Sequence, residues 1–481
     1  MEQTKEINLE TIQTLNDALA AIMVLLAENT ELRKQNEELG GRVAKLEEEV
    51  AVLKKNSSTS SKPPSSDITK PQHQQRQPGK RKRGGQRGHR GVKRELLPAE
   101  EVDEVVVLPA LENCPECCRR LSEEGEPEVL VQQSIELPEK PVSVKEYHRH
   151  GRFCPCCDVY YYPPLPDGVL EDQLFGSSLQ ALIGYMKGNL GASYSELQEF
   201  CKDVLQISVS RSMLCNTVAR VSKAISTPVD ELGEAIKEEK TLNIDETGWK
   251  DSGNKYWVWV FCNQLIAYFV ISNTRGSKVL REVLGETFGG AIISDFYSAY
   301  IGYASNGLQL CLAHLIRDIK FLTTLKCLQS KEFGETVLEH FRDLFTLWHN
   351  RGSDPPENFQ ANADRLKQKL FTYLTNSALE KGKAHTLKKR VLRQWDNLFR
   401  FIYNPELYQP TNNAAEQAVR HTVRIRRQTQ GSRSQEGRDW NARIMTVLAT
   451  CKKQRRSSWK FIKDSIEAQY FNRTFPTLLP S

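Results

Sequence analysis

Thr241-Leu-Asn-Ile-Asp245-Glu-Thr-Gly-Trp249 reads as a short apolar strand running into an acidic pair. Two further stretches, YWVWVFC at 256–262 and LIAYFVIS at 265–272, are rich in β-branched and aromatic residues and read as the next two strands, antiparallel to the first. A helix over Ser277 to Leu284 and a glycine pair lead into Ala291-Ile-Ile-Ser-Asp295, a second apolar strand that finishes on a carboxylate. Leu308-Gln-Leu-Cys-Leu312 supplies a fifth strand, and Leu315 to about Tyr403 is mainly helical.

This order, βββ-α-β-α-β, is that of an RNase H-like fold, whose first and fourth strands lie side by side and would bring Asp245 and Asp295 together. Further along, Asn412-Asn413-Ala-Ala-Glu416 opens another helix. Two readings of Glu416 stand: Asn413 and Glu416 as a purely structural capping box, or Glu416 aimed at the two aspartates. Arg420, Arg424, Arg426, Arg427 and Arg433 follow in or just after that helix. They are either phosphate-holding groups beside the site or a solvated basic face.

Outward to the N-terminus the chain is modular. Leu25, Leu32, Leu39, Leu46 and Leu53 recur in heptad phase, with Asn29, Asn36, Val43 and Val50 at the alternate seam positions. The pattern predicts a parallel two-stranded coiled coil registered by the two asparagines, hence a homodimer, against a lone amphipathic helix packed on its own chain. Residues 57–97 turn to Ser, Pro, Gln and Lys, too few apolar groups to fold. Within them Lys80, Arg81, Lys82, Arg83, Arg87 and Arg90 suit a phosphate backbone or minor groove, or belong to a merely solvated linker. Cys114-Pro-Glu-Cys117 and Cys154-Pro-Cys-Cys157 are matched C-x-x-C knuckles with the spacing of a four-thiolate Zn2+ site. VLVQQSIEL (129–137) and VSVKEYH (142–148) between them alternate like strands of a hairpin. Cys118 and Cys156 offer alternative registers, and a redox pair is the rival reading. Next come two helices across a polar turn, the second capped by Ser210 and presenting Arg211, Ser212, Asn216 and Arg220. They form a helix-turn-helix for DNA or an ordinary helical hairpin.

The chain has 481 residues, with 39% hydrophobic and 26% charged, enough apolar side chains for a sizeable core and too many for wholesale disorder. The net charge of +6 conceals its distribution: residues 61–97 hold 11 Lys/Arg against 2 Asp/Glu, and residues 417–460 hold 12 against 2. Two such basic stretches point to a polyanion, most simply nucleic acid. The longest apolar run, Ala18 to Ala27, is about half of a bilayer crossing, and no signal peptide precedes it. A cytoplasmic protein with reduced, metal-ligating cysteines is therefore expected. The resulting organisation is multidomain α+β: leucine-zipper coiled coil (1–56), disordered basic linker (57–97), zinc-binding domain (98–170) and helix-turn-helix-like region (171–235). The RNase H-like catalytic core follows in two parts (236–314 and 406–445) split by a helical insertion (315–405), with a C-terminal region (446–481) completing the basic C-terminal helices.

Taken in order, KNSSTSSKPPSSD, GGQRGHRG, the paired knuckles, NIDETGW, SDFYSAY, CLAHLIRDI and PTNNAAEQAVRHTVRIRRQTQGSRSQEG resemble the transposases of insertion sequence family sixty-six, DDE-type enzymes of bacterial mobile elements. The resemblance runs from the zipper nearly to the C-terminus. It implies an acidic triad of Asp245, Asp295 and Glu416, a C-x-x-H element at Cys311 and His314, a helical insert, and small accessory proteins as partners. Leu312, Leu315 and Gln417 depart from the usual pattern without removing a carboxylate. Three carboxylates suit Mg2+ or Mn2+ acting on a phosphodiester: two ions roughly 3.5 to 4 Å apart can clamp the attacking and leaving oxygens. The expected activity is cleavage at the element's ends and strand transfer into target DNA. A transposase-derived regulator without catalysis and an RNase H-like nuclease are the alternatives.

Overall fold

A computed structural model describes residues 14–56, 59, 96–121, 129–304, 307–352 and 355–480. The basic residues Lys80, Arg81, Lys82, Arg83, Arg87 and Arg90 lie outside them. The chain divides into two compact units: Met1–Gln75 with Pro164–Leu197 and Ser210–Ser481, and Arg76–Pro163 with Gln198–Val209.

The heptad stretch is one proline-free helix, α1 (Leu15–Leu53). Leu25, Leu32, Leu39, Leu46 and Leu53 are all more than half exposed along it, and Asn29 and Asn36 are exposed too. In the unit that carries the knuckles, the expected strands 129–137 and 142–148 do not form. Their apolar side chains have no layer to pack on: Leu130 is 94% and Val144 73% exposed, so alternation alone brings no partner face. A short hairpin forms instead at the second knuckle, β1 (Arg152–Cys154) with β2 (Val159–Tyr161), antiparallel with Cys154 opposite Val159.

The chain continues with α2 (Ser177–Tyr185), a π-helical turn over Met186–Leu190, α3 (Tyr194–Asp203), which runs from the larger unit into the smaller at Gln198, and then, in the larger unit, α4 (Arg211–Ala224) and α5 (Ser226–Ala235). Ser210 caps α4, its hydroxyl accepting the Met213 N–H at 3.2 Å. Then come β3 (Thr241–Asp251), β4 (Asn254–Cys262), β5 (Ala267–Ser272), α6 (Lys278–Leu284), β6 (Ala291–Ser294), α7 (Ser298–Tyr303), β7 (Leu308–Leu310) and α8 (Leu312–Leu322). The sheet order is β5-β4-β3-β6-β7, with β3, β4 and β5 antiparallel in succession and β6 and β7 parallel to β3 and to each other. Between β3 and β4 lies a two-residue turn, Ser252-Gly253, with φ of 48° and 86°; a tight hairpin turn of this kind needs positive φ at both positions. The first and fourth strands of this mixed sheet, β3 and β6, are neighbours, consistent with an RNase H-like core.

The fifth strand is shorter than the sequence suggests. Cys311 still gives its N–H to Ser294 of β6, but Leu312 gives its own to Pro410, both at 2.8 Å, so the chain leaves the ladder there and α8 begins at Leu312. After α8, the insertion comprises α9 (Leu328–His349), α10 (Pro356–Asn376), α11 (Gly382–Arg393) and α12 (Trp395–Tyr403). These have an aromatic core of their own, with Trp348 edge-on to Phe401 and Phe341 stacked on Phe399. Buried Gln309 on β7 fastens that core to the sheet edge: its amide donates to Leu398 O at 3.0 Å and its oxygen accepts Phe401 N–H at 3.1 Å.

Three helices complete the chain: α13 (Asn413–Thr429), α14 (Gln435–Lys453) and α15 (Ser458–Tyr470). Alternation along β4 decides the layers. Val258, Val260 and Cys262 meet Ala415, Val419, Ile425 and Met445 of α13 and α14, whereas Trp259 points the other way, edge-on to Tyr300 of α7. The helices α2, α4, α14 and α15 pack together, with Leu214, Val218 and Val221 of α4 buried among them.

Candidate active site

Parallel pairing of β3 with β6 runs Thr241 opposite Ala291, Leu242 opposite Ile292 and Asn243 opposite Ile293. Carried two residues further, the same offset sets Asp245 level with Asp295. Both strands thus deliver a carboxylate at the same height. Asp295, just past the end of β6, is held by the Tyr297 N–H at 2.9 Å, and Asp245 by the Glu246 N–H at 2.9 Å. Burial, then the charges of Glu246, Asp295 and, more weakly, Glu416, push the Asp245 carboxyl well above its ordinary range; the Glu246 N–H opposes them.

Asn412 decides where α13 begins, and sequence reading placed that cap one residue late. Fully buried, its side-chain amide donates to Ile244 O at 2.8 Å, and its oxygen accepts from the Asn243 side chain at 2.9 Å. Its backbone N–H points at Cys311 Sγ, 3.2 Å away. Asn413 is the first helical residue and the capping box with Glu416 is not made. The side chain that could have capped the helix is spent on β3 and locks α13 to the strand that carries Asp245. The doublet Asn412-Asn413 signalled a helix start, but only the tertiary contact chooses between the two.

From the first turn of α13, Glu416 reaches His314 and Arg317 of α8: Oε1 lies 3.5 Å from His314 Nδ1, and Oε2 3.4 Å from the Arg317 guanidinium. Cys311, His314 and Glu416 each offer a ligand atom within 4.8 Å of the others; among the described residues no other trio of His, Cys, Asp or Glu does so. Asp245, Asp295 and Glu416 therefore share one electrostatic neighbourhood without closing to that distance. Burial holds the His314 imidazole below its ordinary value, with Glu416 opposing, and pushes the Cys311 thiol up to about 11.

A fourth carboxylate, overlooked in the sequence, lies on the opposite face of β3. Glu246 is buried, accepts from Arg275 Nε at 2.8 Å and is bonded to the Tyr300 hydroxyl. Burial raises its carboxyl, which the Tyr300 hydrogen bond and Arg275 partly offset. Arg275 stacks 4.1 Å over the Tyr297 ring. Adjacency to Asp245 was the one available signal, and alternation in a strand assigns neighbours to opposite faces.

Against this geometry stand two family models. One, for the Transposase IS66 family, matches residues 172–439, more than half of the chain and all five strands of the large sheet. The chain belongs to that family. The other, a family of unknown function (DUF6444), matches residues 2–95. A curated relative, Uncharacterized protein y4hP of Sinorhizobium fredii (strain NBRC 101917 / NGR234), is 23% identical over 398 residues, covering 75% of this chain and 71% of its own. Membership implies DNA transposition, DNA binding and a divalent metal. Among the described residues no helix is long and apolar enough to cross a membrane.

The remaining sequence-predicted residues are distributed as follows. On α4, Arg211 and Asn216 are exposed, but Arg220 folds back onto Thr217 at 3.1 Å with its Nε enclosed, so it does not extend into solvent as expected. On α13, Arg420 and Arg427 are exposed, while Arg424 bonds Asn189 O and Arg426 bonds the Gly248 carbonyl of β3. The knuckles are alike: Cys118 N–H returns to Cys114 O and Asp158 N–H to Cys154 O, both at 2.9 Å, with Cys118 and Asp158 at φ of 58° and 57°. The amides of Cys117 and Glu116, and of Cys157 and Cys156, lower the first thiol of each pair. Among the described residues no three of these sulfurs lie within 4.8 Å of one another, and the hairpin expected between the pairs is not formed.

Proposed function

We propose that the chain cuts DNA at the ends of an insertion sequence and joins the freed 3′ ends to target DNA, with Asp245, Asp295 and Glu416 holding Mg2+ or Mn2+. The observation that carries this reading is the equal height of Asp245 and Asp295 on parallel strands, with Glu416 near enough to act on the same carboxyl. The residues fit a hard cation. Recessed like charges raise Asp245, and a divalent ion relieves that condition. Bound there, magnesium would supply charge neutralisation at the phosphodiester and an activated oxygen nucleophile.

The chain's own residues do the positioning. Asn412 fixes α13, and so Glu416, to β3; Arg317 steadies one oxygen of Glu416; exposed Arg420 and Arg427 on the same helix, with Arg211 and Asn216 on α4, offer contacts to phosphate and base edges. The basic residues Lys80, Arg81, Lys82, Arg83, Arg87 and Arg90 would add sequence-independent affinity. Each knuckle has the shape of half a zinc site, and Cys114, Cys117, Cys154 and Cys157 together would supply the four thiolates of a structural zinc ion; no catalytic step is assigned to zinc.

The test is a strand-cleavage and strand-transfer assay with magnesium and DNA carrying the element's ends. Asp245→Asn is expected to lose cleavage at least about a hundredfold while DNA binding persists. Retained cleavage refutes the triad. Binding without cleavage by the unaltered chain would favour a transposase-derived regulator, and nicking indifferent to the ends a nuclease.

A further inference from the structure

We propose that Cys311, His314 and Glu416 form a second cation site, suited to a thiophilic divalent ion such as zinc rather than to magnesium. His314 Nδ1 and Glu416 Oε1 are both enclosed and lack a hydrogen-bond partner, yet they face one another at 3.5 Å. That is too long for a good hydrogen bond. It matches the edge of a tetrahedral zinc site, about 3.4 Å for zinc–nitrogen and zinc–oxygen bonds of roughly 2.1 Å. Cys311 supplies the third corner, all three ligand atoms lying within 4.8 Å.

The surroundings match the assignment. Cys311 Sγ accepts the Asn412 N–H at 3.2 Å and faces the Ala313 and His314 amides in the first turn of α8, partners that partly offset the burial that raises the thiol. Arg317 engages the other oxygen of Glu416, leaving Oε1 as the ligand. Cysteine and histidine spaced C-x-x-H put both donors at one helix start, whereas an all-oxygen shell, the preference of magnesium, cannot be assembled from these three groups. Three protein ligands leave a fourth position open. On binding, the thiol proton leaves to solvent.

Glu416 belongs to both sets of ligands. On the transposase reading above, zinc here withdraws an oxygen from the aspartate pair and inhibits magnesium-dependent cleavage; the binding itself rests only on the geometry of the three side chains.

The experiment is a Co2+ titration of the metal-stripped full-length chain under reducing, anaerobic conditions, followed by equilibrium dialysis and by the sulfur-to-cobalt and visible bands. Cys114, Cys117, Cys154 and Cys157 are present in every protein compared, so their contribution is common. The unaltered chain is expected to take up one more equivalent than His314→Ala or Glu416→Gln, and Cys311→Ser to lose the sulfur band of that equivalent. Equal uptake and equal spectra in all four overturn the proposal. Circular dichroism checks folding. Should Cys311→Ser unfold, the other two variants decide, since their side chains are 17% and 21% exposed and sit at the rim. Retained cleavage by Asp245→Asn would sink the transposase reading while leaving the cobalt count untouched.

Discussion

Asp245 carries an electrostatic conflict. Its carboxyl is raised in the folded state, so between the ordinary carboxylate range and that raised value the folded chain binds more protons than the unfolded one. Stability of the metal-free protein therefore falls as pH climbs through that window. Asp245→Asn removes the conflict. The variant that loses cleavage should melt higher than the metal-free parent at neutral pH, by roughly 2–4 °C for each kcal/mol relieved, and excess magnesium should narrow the gap by stabilising only the parent. Scanning calorimetry with and without magnesium measures it; a lower melting temperature for the variant would place Asp245 among ordinary structural carboxylates. At this scale the sequence was readable for identity and mute on surroundings. Asp245, Asp295 and Glu416 stood out by their strand and helix positions, but Arg317 lies on another element, and Arg275 and Tyr300 are brought to Glu246 only by folding.

The start of α13 is where packing overrides local rules. Local chemistry offered Asn413 and Glu416 a reciprocal cap, yet Asn412 takes the boundary because its amide is satisfied by β3 and no water can replace those bonds in a fully buried setting. Asn412→Ala should destabilise the fold by about 2–3 kcal/mol, leaving Asn243 and the Ile244 carbonyl unpaired, and should reduce cleavage more than DNA binding. Urea unfolding beside a binding assay checks both; a loss under 0.5 kcal/mol would mean that α13 is held by its apolar face alone. The knuckle connector shows the converse. Period-two patterning at 129–137 and 142–148 was legible, but pairing requires a second strand and a face to bury, and these side chains remain exposed.

For the molecule as a whole, the exposed heptad helix bears on how many chains act together. The leucine stripe on α1 is exposed along a single chain, the condition under which a heptad seam gains by pairing with a second copy. Replacing Leu32 and Leu39 by lysine should convert a dimer to monomers in light scattering without lowering the helicity of the remaining domain; an unchanged mass would show that α1 is not the dimer contact. The basic stretches and the family resemblance were visible in composition and motif order, and the matched family model covers residues 172–439.

By itself the sequence determined the element order around Asp245 and Asp295, the helical insertion and the heptad phase, because hydrophobic period and turn residues are local properties. Tertiary structure alone decided that Glu416 leans on His314 and Arg317, and that Asn412 rather than Asn413 caps α13. Those outcomes depend on contacts between residues some hundred or more positions apart, and no periodicity along a chain encodes which distant surfaces will meet.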